Sequence, residues 1–171
     1  MSNFQPGVLA PVPLQGRYLT FRLHSRSGAR RTLRALAGLV DGEKCVVGLG
    51  LTLLRALDCK IPGMHRFPPY ARKGAAVPST PVALWCWLRG DERGELLQRS
   101  RALIHTLAPA FKLDNAIDAF RHGTGRDLTG YVDGTENPKG NKDRTAVALI
   151  GKEDASFAGR SEERRVGKEC A

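Results

Sequence analysis

Val82-Ala-Leu-Trp-Cys-Trp-Leu88 is unbroken by any polar residue and rich in β-forming side chains. In a strand, Val82, Leu84, Cys86 and Leu88 fall on one face and Ala83, Trp85 and Trp87 on the other. Both faces are therefore apolar, as in a strand buried on two sides. Upstream, Arg17 to Leu23 alternates as a half-buried strand: Leu19, Phe21 and Leu23 lie opposite Tyr18, Thr20 and Arg22. Ala29, Leu33, Leu36, Ala37 and Val40 recur at helical spacing, with a stop at Asp41-Gly42. Lys44 to Gly50 reads as a short strand and Leu51 to Leu57 as one or two helical turns. Residues 58–81 are Pro-rich and read as a long irregular connection. Downstream, Asp91 is the expected N-cap of a helix whose stripe is Leu96, Leu103 and Leu107 and which ends at Pro109. Ile117 to Arg121 alternates again as a strand.

The order is βαββαβ, an α+β ferredoxin-like unit expected over residues 17–122. A Pro-rich arm, residues 1–16, is expected to run extended before it. Such a sheet carries helices on one face only. The second apolar face of the VALWCWL strand thus calls for a cover: another sheet, a dimer partner or a cofactor layer. Alternatively, the two tryptophans cap a sheet edge.

The 171 residues are 42% hydrophobic and 26% charged, ordinary values for a globular protein. No apolar run reaches the ~18 residues of a membrane span. The N-terminus carries neither a secretory nor a twin-arginine signal, so a cytoplasmic location is expected, with no membrane partner. Four cysteines are present without a C-x-x-C pair, which argues against a zinc ribbon or a thioredoxin-like site. The net charge of +10 raises nucleic acid as a partner. The RNA-recognition fold shares the βαββαβ order. However, the chain has no Lys/Arg-Gly-Phe-Gly-Phe-Val string on a strand, and its aromatic content is 6%, so no nucleic acid is expected. A non-catalytic ferredoxin-like module that binds a small molecule is the other alternative.

After the last expected strand comes Gly123-Thr-Gly-Arg-Asp-Leu-Thr-Gly-Tyr-Val-Asp-Gly-Thr-Glu-Asn-Pro138, rich in glycine and nearly free of apolar side chains. Glycines permit φ > 0 and close approach of backbone to a ligand. No Gly-Lys-Ser/Thr follows, so this is not a Walker A loop. Asp133-Gly134 reads either as a plain turn or as part of a site.

Gly130-Tyr-Val-Asp-Gly134, with Gly125-Arg-Asp-Leu-Thr129 before it and Thr135-Glu-Asn-Pro138 after it, resembles the G-x-x-D-G signature of the dye-decolourising (Dyp-type) haem peroxidases, bacterial cytoplasmic branch. The resemblance runs over roughly residues 5–159. It implies two ferredoxin-like units with facing sheets and haem (heme b) between them, which would cover Trp85 and Trp87. It implies that Asp133 is the catalytic residue, moving a proton between the oxygens of hydrogen peroxide, and that Gly134, Thr135 and Glu136 lie against the cofactor. A small organic reductant such as a dye or phenol supplies electrons, and the full-length protein is a homo-oligomer. It places the iron-ligating histidine and the distal arginine in the second half, beyond this chain; His24, His65, His105 and His122 do not match the ligand. Residues 123–159 are thus the haem-facing loop and the start of the second unit. Arg160 to Ala171 resembles the translation of a sequencing-library adapter, so the chain is expected to be a truncated fragment, inactive alone.

Overall fold

The computed structural model describes residues 4–62, 64–132 and 134–149. Its elements are β1 (Gln15–Leu23), α1 (Arg26–Ala37), β2 (Cys45–Leu49), α2 (Leu51–Ala56), β3 (Tyr70–Arg72), β4 (Ala75–Val77), β5 (Leu84–Gly90), α3 (Arg93–Leu107), β6 (Phe111–Phe120) and α4 (Asn141–Ala148). β2, β5, β1 and β6 pair in that order, all antiparallel, into one sheet. Each of the two crossovers, β1-α1-β2 and β5-α3-β6, skips a strand. This is the split arrangement of a ferredoxin-like unit.

Register decides which side chains meet. Leu19 pairs with Cys86 and Phe21 with Leu84 across β1 and β5. All four are fully buried, on the face that α1 covers with Ala29 and Leu36 and α3 with Leu96, Leu103 and Leu107. Each large side chain so buried contributes roughly 1.5–3 kcal/mol against solvent exposure. Ser100 lies within this core, and its hydroxyl donates to the Leu97 carbonyl at 2.8 Å, so its burial carries no orphaned donor.

Five expectations change. β6 begins at Phe111, well before Ile117, because the register slips between Thr20 and Phe21: Thr20 faces Asn115 and Phe21 faces Leu113. The bulge at Asp114 puts Phe111 and Leu113 on the core face and Ile117 and Ala119 on the other, so no single alternation spans the strand. Glu92, not Asp91, caps α3: its carboxylate accepts from the amides of Gly94 (2.8 Å) and Glu95 (2.7 Å). α1 closes at Ala37. Asp41 instead organises the turn into β2, its carboxylate accepting from the amides of Glu43, Lys44 and Cys45. The long connection holds an exposed hairpin, β3-β4.

The N-terminal arm is not simply extended. Pro6–Val8 forms a 3-10 turn, and Gly7 is buried where a Cβ would lie 2.6 Å from both the Glu43 carbonyl and the Val46 side chain. The Gln5 amide pairs in both directions with the Val47 backbone, at 2.8 Å each way, extending the sheet edge with a side chain. Among the described residues no helix is long and apolar enough to cross a membrane.

Candidate functional site

The sheet face away from the helices carries Tyr18, Trp85 and Trp87, all half-buried. Tyr18 stacks on both indoles, with ring centroids 5.8 Å from Trp85 and 5.9 Å from Trp87; the two indoles are 6.3 Å apart. The buried Arg89 guanidinium lies 4.7 Å over the Trp87 ring, a cation–π contact. Ile117, on the same face, is 53% exposed. Trp87 Nε1 and Arg89 Nε are buried without an acceptor among the described residues. The face is thus apolar, aromatic and only partly covered by the described residues, the arm lying over its β2 edge at Val46.

β6 feeds the Gly-rich loop directly. Arg126 makes the loop's isolated bridges, to His122 and to Val132, and its guanidinium donates to the Gly130 carbonyl at 2.8 Å. Asp127 is its second organiser. One carboxylate oxygen accepts from the Thr129 hydroxyl (2.6 Å), the Thr129 amide (2.9 Å) and the Tyr131 amide (3.1 Å). The Thr129 hydroxyl, ahead of the backbone donors, holds the Asp127 carboxyl below its ordinary value. Gly125 and Gly130 have φ of 103° and 94°, a region side chains rarely enter, with nothing within 4 Å of a would-be Cβ. The loop is therefore closed by its own hydrogen bonds while Leu128 (79%) and Tyr131 (76%) stand exposed.

Asp133 lies outside the described residues. Gly134, Thr135 and Glu136 form an exposed turn just after it, with the Asn137 amide donating to the Gly134 carbonyl at 3.1 Å. Gly134 has φ of 74°, and a Cβ there would meet the Asn137 side-chain nitrogen at 2.5 Å. The buried arginine under Trp87 and the Asp127 knot were not singled out from sequence. Asp-x-Thr, a side-chain acceptor two residues before a hydroxyl and an amide, was the signal for the second.

The described residues fit a flat aromatic cofactor as one wall: an apolar open face with unpaired buried N–H groups, and a loop of exposed backbone. They supply no axial iron ligand. His24 Nε2 is engaged with the Ala108 carbonyl at 3.0 Å, and His65, His105 and His122 are exposed and lie outside the strands of the open face. Among the described residues no His, Cys, Asp or Glu cluster could hold a metal ion. Cys45 and Cys86 are buried, and burial pushes their thiols up to about 11 and about 12, so neither is a nucleophile near neutrality.

Topology and loop together define the class: an α+β ferredoxin-like unit that presents a glycine-rich, carboxylate-bearing loop from its last strand. Comparison with known proteins gives the family. Residues 124–162 match the model of the Dyp-type peroxidase C-terminal region. A dye-decolorizing peroxidase of Brevibacterium linens is 32% identical over 143 residues, covering 77% of this chain and 38% of that protein. The fold matches a dyp-type protein from Shewanella oneidensis at a TM-score of 0.79 and 30% identity, over 93% of this chain and 56% of that one. It also matches a DypB variant from Rhodococcus jostii RHA1 in complex with heme, at a TM-score of 0.72 and 28% identity, over 93% of this chain and 56% of that one. The chain belongs to the Dyp-type peroxidase family. It spans between about a quarter and two fifths of the length of the curated relatives it matches.

Proposed function

We propose that this chain forms the peroxide-facing part of a haem-dependent peroxidase that uses hydrogen peroxide to oxidise small organic one-electron donors such as dyes and phenols. The observation that supports it most is the Gly125–Pro138 string, whose residues up to Val132 form an exposed, self-tied loop at the end of β6 in a chain of this family. The haem, when bound, supplies the redox chemistry. Asp133 supplies the proton transfer: its carboxylate takes the proton from one oxygen of hydrogen peroxide and returns it to the other, which leaves as water. A carboxylate with an ordinary pKa of ~3.9 stays ionised in mildly acidic conditions where an imidazole is protonated. Gly134, Thr135 and Glu136 lie along the cofactor edge through their backbone. The Trp85/Trp87 face is covered by a second ferredoxin-like sheet, and the complete protein assembles as a homo-oligomer. The iron ligand and distal arginine come from sequence beyond residue 159, so these residues alone do not turn over.

The nucleic-acid alternative is not favoured: no Lys/Arg-Gly-Phe-Gly-Phe-Val string lies on a strand of the sheet.

The test joins residues 1–149 to the remaining C-terminal part of the Brevibacterium linens relative. Loaded with hemin, the fusion is expected to oxidise a dye with peroxide. Asp133→Ala is expected to lower peroxide turnover by about 100-fold or more with the Soret band in place. An unchanged rate in that variant removes Asp133 from the site. A well-formed histidine-ligated spectrum with no oxidation of any donor overturns the peroxidase reading. Hemin added to the chain alone is expected to give no stoichiometric histidine-ligated Soret band; such a band with turnover refutes its incompetence.

A further inference from the structure

Three arginines reach back to the backbone of the N-terminal arm. Arg89, buried on β5, donates to the carbonyls of Pro11 and of Glu43 (3.2 Å for the latter). Arg121, just past β6, donates its amide to the Leu14 carbonyl at 2.9 Å and its guanidinium to the Val12 carbonyl at 3.4 Å. Arg144, half-buried on α4, donates to the Leu9 carbonyl. Arg121 stands before the Gly-rich loop and Arg144 after it. Both ends of the loop are therefore tied to one short stretch of arm.

That stretch continues a fixed one, since the Leu9 and Ala10 amides both donate to the Pro6 carbonyl at 3.1 Å. The Gln5 amide pairs with Val47, the Gly7 amide donates to the Gly42 carbonyl at 2.8 Å, and Pro6, Pro11 and Pro13 limit the arm's conformational freedom. A charged guanidinium on a neutral carbonyl makes a stronger tie than an amide does. A loop held at both ends samples fewer conformations than one held at its β6 end alone.

We propose that residues Leu9–Leu14 are a clamp for the motif loop, with Arg144 and Arg121 as positioning residues that set where the loop residues Gly130–Val132 stand. The inference deepens the peroxidase reading and rests on it for its catalytic consequence, but the clamp itself is testable without cofactor. In hydrogen exchange followed by mass spectrometry on the present chain, Arg144→Met is expected to speed exchange in peptides spanning 124–149 by about tenfold, the size of effect that loss of one local tie produces. Peptides of β1 and β5 stay within about twofold. Arg144→Lys, which keeps a cation and a donor, recovers most of the protection. In the active fusion, Arg144→Met lowers kcat/KM for peroxide while KM for the dye and the Soret position hold. Unchanged exchange over 124–149 overturns the clamp. So does an equal loosening of β1 and β5, or failure of Arg144→Lys to recover protection. If exchange responds as expected but the fusion, with a well-formed histidine-ligated spectrum, oxidises no donor, the clamp stands and the peroxidase reading fails.

Discussion

Asp127 organises much of the described part of the loop. Its carboxylate accepts from Thr129 twice and Tyr131 once. The Thr129 hydroxyl leads the causes that lower its pKa from the ordinary 3.8. The sign follows: a carboxyl depressed in the folded chain favours the folded loop above its unfolded value, and that contribution is lost as pH falls through the folded one. Loop order is thus expected to be level from neutrality down to about pH 4 and to fall below it. The amide resonances of Thr129 and Tyr131 should report this in NMR titration while amides of β5 do not move. Asp127→Asn, which keeps an acceptor but not the charge, should abolish the pH dependence. Resonances that stay put down to about pH 2.5 would sink the argument. That an irregular loop follows the last strand was legible because its glycines and aspartates are turn-forming residues, while its reading as a site came from the resemblance alone. Arg89 was not, since nothing in a linear pattern marks which arginine a neighbouring indole will bury.

At the scale of elements, the two periodicities did most of the work where a segment buried one uniform face. α3 and β5 read well because Leu96, Leu103 and Leu107, and Leu84, Cys86 and Leu88, keep one period throughout. β6 read only in its second half because a bulge reverses its faces at Asp114, and a reversal looks like the end of a strand. The α3 cap shifted by one residue because Asp91 and Glu92 both offer a carboxylate, and only the geometry of the turn selects between them. The junction of β2 and α2 is the most demanding joint. The Gly50 amide donates to the Ala83 carbonyl at 2.9 Å, and a Cβ there would lie 1.8 Å from the Val82 carbonyl oxygen. The obstacle is backbone, not the end of a flexible side chain. Gly50→Ala is therefore expected to force the β2 edge away from β5 and to cost about 3 kcal/mol or more, against typical overpacking costs of 1–3 kcal/mol. Urea denaturation measures it. A loss under about 0.5 kcal/mol, the level of an indifferent surface change, would show that the joint relaxes freely.

For the whole molecule, the two faces of the sheet have different standing. One is closed by α1 and α3 around Leu19, Phe21 and Leu84. The other shows Tyr18, Trp85, Trp87 and a half-exposed Ile117, with the arm lying against Val46 of β2 and bonded to Arg89 of β5. Apolar surface left in water favours association with any apolar surface that fits it. A net charge of +10 opposes association, but that repulsion is screened beyond about 8 Å at physiological salt, whereas contact between aromatic faces acts at shorter range. Salt therefore separates the two forces. At low ionic strength charge should hold the chains apart. As salt rises the repulsion weakens and the faces should pair, so light scattering is expected to show larger species with increasing salt. Trp85→Thr with Trp87→Thr keeps β-propensity while removing two large rings, and should leave the scattering flat across the same salt range. A wild-type chain that remains a monodisperse monomer through physiological salt would show that this face does not seek a cover. The expectation of a second sheet above it would then lose its physical motive.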